Sequence, residues 1–217
     1  MFDLGLVIAF AGIVGGRLWD VFFFDWEYYH NHLLEIPYIW QGGMAIQGGI
    51  IFACIAAYFY LKKHQIPVLP FADTVTPGII LGQAIGRIAN FMNGDAFGHP
   101  TGQDFGLLYP DTTLAYHTYG AQPLWPAEVW ECQGDLLIFV LLLWYGCKTR
   151  AEGTTFCLYI MFYSLLRFFL ENYRGDYGTL ALGLKSAQLT SLAAFAGAFI
   201  LFLYFHFKHK SKSGISE

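Results

Sequence analysis

The stretch Ser186–His206, SAQLTSLAAFAGAFILFLYFH, runs for 21 residues without an Asp, Glu, Lys or Arg, and Lys208, Lys210 and Lys212 follow it. About 20 apolar residues, rising 1.5 Å each, cross the hydrocarbon core of a bilayer. The stretch is therefore predicted to be a membrane helix with a basic end. The rest of the chain agrees. Of 217 residues, 56% are hydrophobic, 19% are aromatic and only 13% are charged, with a net charge of −4. A soluble domain carries about 25% charged residues. The composition excludes an ordinary cytosolic enzyme, a disordered chain and a basic nucleic-acid binder.

Five further spans are predicted on the same grounds. Gly42–Leu61 is closed by Lys62, Lys63 and His64. Gly153–Leu170 carries one charge, Arg167. Leu136–Gly146 is short, and Trp125–Asp135 extends the same helix. Phe2–Phe24 contains Asp3, Arg17 and Asp20. Phe71–Asn90 contains Asp73, Pro77, Gly82, Gly86 and Arg87. The expected fold is an all-α integral membrane protein of six transmembrane helices, one polytopic domain over residues 1–217. Six spans put both termini on one side. Lys62, Lys63, Lys148, Arg150 and the C-terminal lysines share that side, which the positive-inside rule makes cytoplasmic. The opposite side then receives the connections Phe24–Gln41, Phe91–Leu124 and Glu171–Lys185, with 91–124 forming a small extracytoplasmic loop region. Loops on a fixed scaffold are where sites concentrate. Met1-Phe2-Asp3 lacks the basic start of a signal peptide, so the first apolar run is read as a retained helix. Cys54, Cys132, Cys147 and Cys157 make neither a CxxC nor a Cys/His metal spacing, and are read as small buried hydrophobes. No metal or nucleotide motif is present.

Arg17, Arg87 and Arg167 lie within or at the end of apolar spans, each towards the non-cytoplasmic side. A charge at the bilayer centre costs roughly 2.5–3.5 kcal/mol even on the lenient insertion scale, so each arginine requires a partner. Acidic groups are available: Glu128, Glu131 and Asp135 are spaced three and four apart and share one helix face, as do Arg167, Glu171 and Arg174. Two readings stand side by side. The arginines lock the bundle through internal ion pairs, or they hold an anionic lipid head group, for which the planar guanidinium fork is suited. Glycines at 15–16, 42–43, 48–49, 82 and 86 fit close helix packing, or a lipid groove against bare backbone. The densest polar segment is Gly86-Arg-Ile-Ala-Asn-Phe-Met-Asn-Gly-Asp-Ala-Phe-Gly98. It places one Arg, two Asn and one Asp where a helix meets the surface. Asn both donates and accepts, which suits orientation of a hydroxyl or phosphate oxygen.

This segment resembles the signature of the prolipoprotein diacylglyceryl transferase family, roughly G-R-x-[GA]-N-F-x-N-x-E-x-x-G. Gly86, Arg87, Ala89, Asn90, Phe91, Asn93 and Gly98 match it, and Asp95 stands where the family has Glu. Gly15-Gly16-Arg17, Gly42-Gly43 to Gly48-Gly49, and Leu166-Arg167 to Arg174 are similar to three further family stretches, in order. Family members often begin with a further helix, after which this chain is expected to start, and often have His where Gln47 stands. The family's H-P-x-Q-L-Y-E corresponds to Trp125-Pro126-Ala127-Glu128-Val129-Trp130-Glu131.

The resemblance implies an enzyme of the bacterial inner membrane, multi-pass and without a cofactor. It would move the diacylglyceryl group of phosphatidylglycerol onto the lipobox cysteine thiol of a prolipoprotein signal peptide. Its partners would be that lipid, that peptide and the bilayer, not nucleic acid. The resemblance assigns catalysis to Arg87, Arg167 and Glu171. It assigns phosphatidylglycerol binding to Arg87, Asn90, Asn93, Asp95, Gly98, Arg17 and Gln47. Arg87 and Arg167 would be the phosphate clamps; His99, His117, Glu128 and Glu131 are nearby in sequence. The rival from another class is a phospholipid-binding relative that keeps the arginine clamp and lacks the thiol chemistry.

Overall fold

A computed structural model describes residues 2–147, 151–175 and 183–213. The expected basic residues Lys148 and Arg150, and positions 176–182 of the last outer connection, lie outside the described residues. Among those described, the chain is helical, and its only β-type pairings are isolated bridges within the loop region and from it to Arg174. It divides into two compact units, residues 1–68 and 69–217.

In the first unit, helix α1 (Phe2–Trp19) continues through a π-helical turn at Asp20–Phe24 into the short α2 (Trp26–Tyr29). Two 3-10 turns lead to α3 (Ile46–Lys63). Helices α1 and α3 pack backbone to backbone, because their contact positions have no side chain. A Cβ on Gly48 would collide with the Gly15 carbonyl and Trp19, and one on Gly15 with Phe52 and the Gly48 carbonyl. This is the small-residue packing expected where helices meet without a hydrophobic driving force.

In the second unit, α4 (Val68–Asn93) runs for 26 residues and accommodates Pro77. The loop region follows, with the short α5 (Leu114–Tyr119), and then α6 (Ala127–Gly146), α7 (Thr154–Leu170) and α8 (Ser186–Ser213). Ile80 of α4 and Ile138 and Leu142 of α6 form a core, against which α7 lays Leu158, Tyr159, Phe162, Tyr163 and Leu166. Asp73 fixes α4 to the start of α7: its two carboxylate oxygens accept the N–H groups of Gly153 at 2.7 Å and Phe156 at 2.9 Å. These are N-terminal donors with no partner inside their own helix, so a buried acidic side chain takes the place of a local cap. The loop region has its own small core of Phe97, Ala115 and Leu124.

Among the described residues, four helical stretches are long and apolar enough to cross a bilayer: Asp3–Phe24, Val68–Asn93, Thr154–Tyr173 and Ser186–Lys210. The other two expected spans are also helices, α3 of 18 residues and α6 of 20. Of these two, α3 carries Gln47, two glycines and a lysine pair, while α6 carries Glu128, Glu131 and Asp135. Trp125 and Pro126, expected to extend the α6 helix, precede it. At Gly82 and Gly86, among the described residues, no neighbouring element comes within 4 Å of where a Cβ would stand.

Candidate functional site

Glu128, Glu131 and Asp135 point the same way because positions three and four apart stack on one side of an α-helix. All three are fully buried. The central one is a hub. Glu131 Oε1 receives Arg167 Nη1 at 2.8 Å and Arg87 Nη2 at 3.1 Å, and Oε2 receives Arg174 Nη1 at 3.3 Å. Thus α4, α7 and the segment after α7 each deliver one guanidinium to a single carboxylate of α6. Arg167 also pairs with Glu171 at 2.9 Å, one helical turn on.

A second tier orients the first. Arg87 Nη1 donates to Asn90 Oδ1 at 3.3 Å, and Asn90 Nδ2 donates to Asp95 Oδ1 at 2.6 Å. The signature segment therefore acts as a chain of polar contacts running from the guanidinium to the turn after α4. Gly94 makes that turn with φ +68°. On the other flank, Lys185 Nζ donates to the carbonyls of Glu171 at 2.8 Å and Arg174 at 2.5 Å. Arg174 is held against the loop region through its bridge to Gly98. Gly98 is required there, since a Cβ would collide with the backbone and Cβ of Trp125.

Beside Arg167 a cavity of about 330 Å³ opens between α7 and α8, lined among others by Tyr159, Tyr163, Ser164, Thr190 and Ser191. The Arg87 and Arg167 side chains stay 19% and 13% exposed, whereas Glu131 is sealed. A guanidinium has five N–H donors, and the carboxylates take only part of each set. Arg167 thus presents N–H donors to a largely apolar cavity.

Of the residues expected from the sequence, Arg87, Asn90, Asp95, Arg167 and Glu171 meet in this network, and Gly98 supports it. Asn93 is exposed at the end of α4. Arg17 and Gln47 belong to the first unit. The five N–H groups of Arg17, a residue expected at the head group, all point at backbone carbonyls. These are Ile36, Gly42, Gly43, Glu35 and Tyr38, at 2.6–3.4 Å. Its guanidinium also stacks on Tyr29. Arg17 is a clasp for the segment between α2 and α3, and that fits its 3% exposure. Gln47 is exposed in the first turn of α3. Sequence reading underrated Glu131 and Arg174. Their three- and four-residue spacings were the available signal, but spacing alone does not reveal that one carboxylate serves three separate segments.

The profile of the prolipoprotein diacylglyceryl transferase family matches residues 1–204. The chain is 38% identical to the phosphatidylglycerol--prolipoprotein diacylglyceryl transferase of Geobacillus kaustophilus over 88% of its own length and 71% of the relative's. It is 35% identical to the enzyme of that name from Clostridioides difficile, over 99% and 81%. It is 37% identical to the one from Thermosynechococcus vestitus, over 95% and 78%. With the signature segment, the arginine network and these matches in agreement, the chain belongs to the prolipoprotein diacylglyceryl transferase family.

Proposed function

We infer that this chain transfers the diacylglyceryl group of phosphatidylglycerol to the cysteine thiol of a prolipoprotein signal peptide. The observation that carries this reading is the convergence of Arg87, Arg167 and Arg174 on Glu131 beside an apolar cavity that Arg167 lines. Arg87 and Arg167 hold the phosphodiester, with Glu171 orienting Arg167 and the Asn90–Asp95 pair orienting Arg87. The thiol sulfur forms a bond to the glyceryl carbon as that carbon's bond to the phosphate oxygen breaks. The bonding pair stays on the leaving oxygen, where the guanidinium groups stabilise the developing charge. The thiol proton ends on the glycerol phosphate that departs. The exposed side chains of Asn93 and Gln47 are assigned further head-group contacts, and Arg17 the positioning of the segment between α2 and α3.

The two units are read as parts of one polytopic domain in the bacterial inner membrane. It has six spans, both termini in the cytoplasm and residues 91–124 on the outside. Lys62, Lys63 and the C-terminal lysines support that orientation. Cysteines placed at Thr101 and Lys208 should label from opposite sides of sealed vesicles; labelling from the same side would refute it.

The activity is tested by incubating purified protein with phosphatidylglycerol and a lipobox peptide and following the peptide by mass spectrometry. The expected result is a mass gain of one diacylglyceryl group on the cysteine, with release of glycerol phosphate. An unmodified peptide would contradict the reading.

A further inference from the structure

One acceptor on α6 has no part in the mechanism above. Glu128 lies one turn before Glu131 on the same face and is fully buried. Its Oε1 accepts the Tyr109 hydroxyl, which comes from the loop region. Its Oε2 is buried and has no hydrogen-bond partner among the described residues. The charges of Arg174, Glu131 and Arg87 all act on it, so it belongs to the same electrostatic neighbourhood. Buried polar atoms are almost always paired. Oε2 is therefore the oxygen of this carboxylate that no described residue uses.

Helix α6 sets the order of groups along the site. The apolar stretch 136–146 lies at one end. Glu131 and its arginines come next, and Glu128 stands about 4.5 Å farther from the apolar stretch, three residues at 1.5 Å each. A phospholipid with its chains entering the cavity between α7 and α8 and its phosphate at the arginines directs its head alcohol towards the Glu128 end of the site. A carboxylate only accepts hydrogen bonds, so the complementary alcohol must carry a donor of its own. In phosphatidylglycerol the head is a glycerol with two hydroxyls, on the second and third carbons from the phosphoester oxygen.

We propose that Glu128 selects the head group: its Oε2 accepts a hydroxyl of the glycerol head, while Tyr109 fixes the carboxylate through Oε1. The proposal rests on the lipid reading above and adds to it the contact that distinguishes a hydroxylated head from a bare one.

The test compares phosphatidylglycerol with phosphatidylethanol, a phosphodiester of the same charge without head hydroxyls. Each is titrated into phosphatidylcholine nanodiscs holding the full chain, and binding is read from the thermal midpoint. The wild type should prefer phosphatidylglycerol roughly tenfold, as expected for a hydrogen bond to a charged acceptor. Glu128→Leu should bind both lipids equally. Glu128→Gln, nearly isosteric and with one carbonyl acceptor left, should fold normally and show a narrowed preference, so the proposal stays testable if the leucine variant does not fold. Equal binding of the two lipids by the wild type, or an undiminished preference in either variant, overturns the assignment of Glu128. Failure of the wild type to bind either lipid would instead overturn the lipid reading.

Discussion

Arg167 Nη1 lies 2.8 Å from Glu131 Oε1, the same oxygen that Arg87 Nη2 reaches at 3.1 Å. A single buried carboxylate thus sets the separation of the two guanidinium groups assigned to the phosphate. Removing one partner of a buried ion pair leaves the others uncompensated, at a cost of about 3–5 kcal/mol. Glu131→Gln is expected to lower the thermal midpoint in detergent and to abolish transfer together. A variant with a normal midpoint and normal transfer would show that the hub is dispensable.

Arg87 bridges Glu131 and Asn90 with two different nitrogens. A lysine ammonium is a point charge and does not reproduce that fork. Arg87→Lys should therefore retain less than about a tenth of wild-type transfer, close to Arg87→Ala, in a peptide-lipidation assay. Near-full activity in the lysine variant would reduce Arg87 to an electrostatic neighbour.

Asp73 provides a contrast, since it serves the fold and not the site. Its carboxylate accepts two backbone N–H groups at the start of α7. Loss of a cap of this kind costs about 0.5–2 kcal/mol. Asp73→Ala is expected to lower the thermal midpoint while leaving the KM for phosphatidylglycerol unchanged. A raised KM at an unchanged midpoint would place Asp73 in the site.

Much of this was legible from residue order alone. Ser186–His206 and Gly153–Leu170 are long apolar runs, and helices there follow from the need to satisfy every backbone polar group in lipid. The signature segment revealed Arg87, Asn90 and Asp95 because they sit within six residues of one helix end. Arg17 is less legible, because an arginine in an apolar span signals the need for partners without saying whether those are ligand oxygens or carbonyls. Its acceptors come from residues 18 to 26 positions away. Asp73 and the Tyr109–Glu128 pair escaped for the same reason: each joins segments whose proximity is a property of the fold.

The central claim, that the arginine network binds the lipid phosphate, is tested most directly at Arg167, which lines the cavity and pairs with both Glu131 and Glu171. The measurement is the thermal midpoint of wild type and Arg167→Gln in phosphatidylcholine nanodiscs with and without added phosphatidylglycerol. Phosphatidylglycerol should raise the midpoint of the wild type and leave that of Arg167→Gln unmoved. An equal rise in both would remove Arg167 from the binding site and contradict the account.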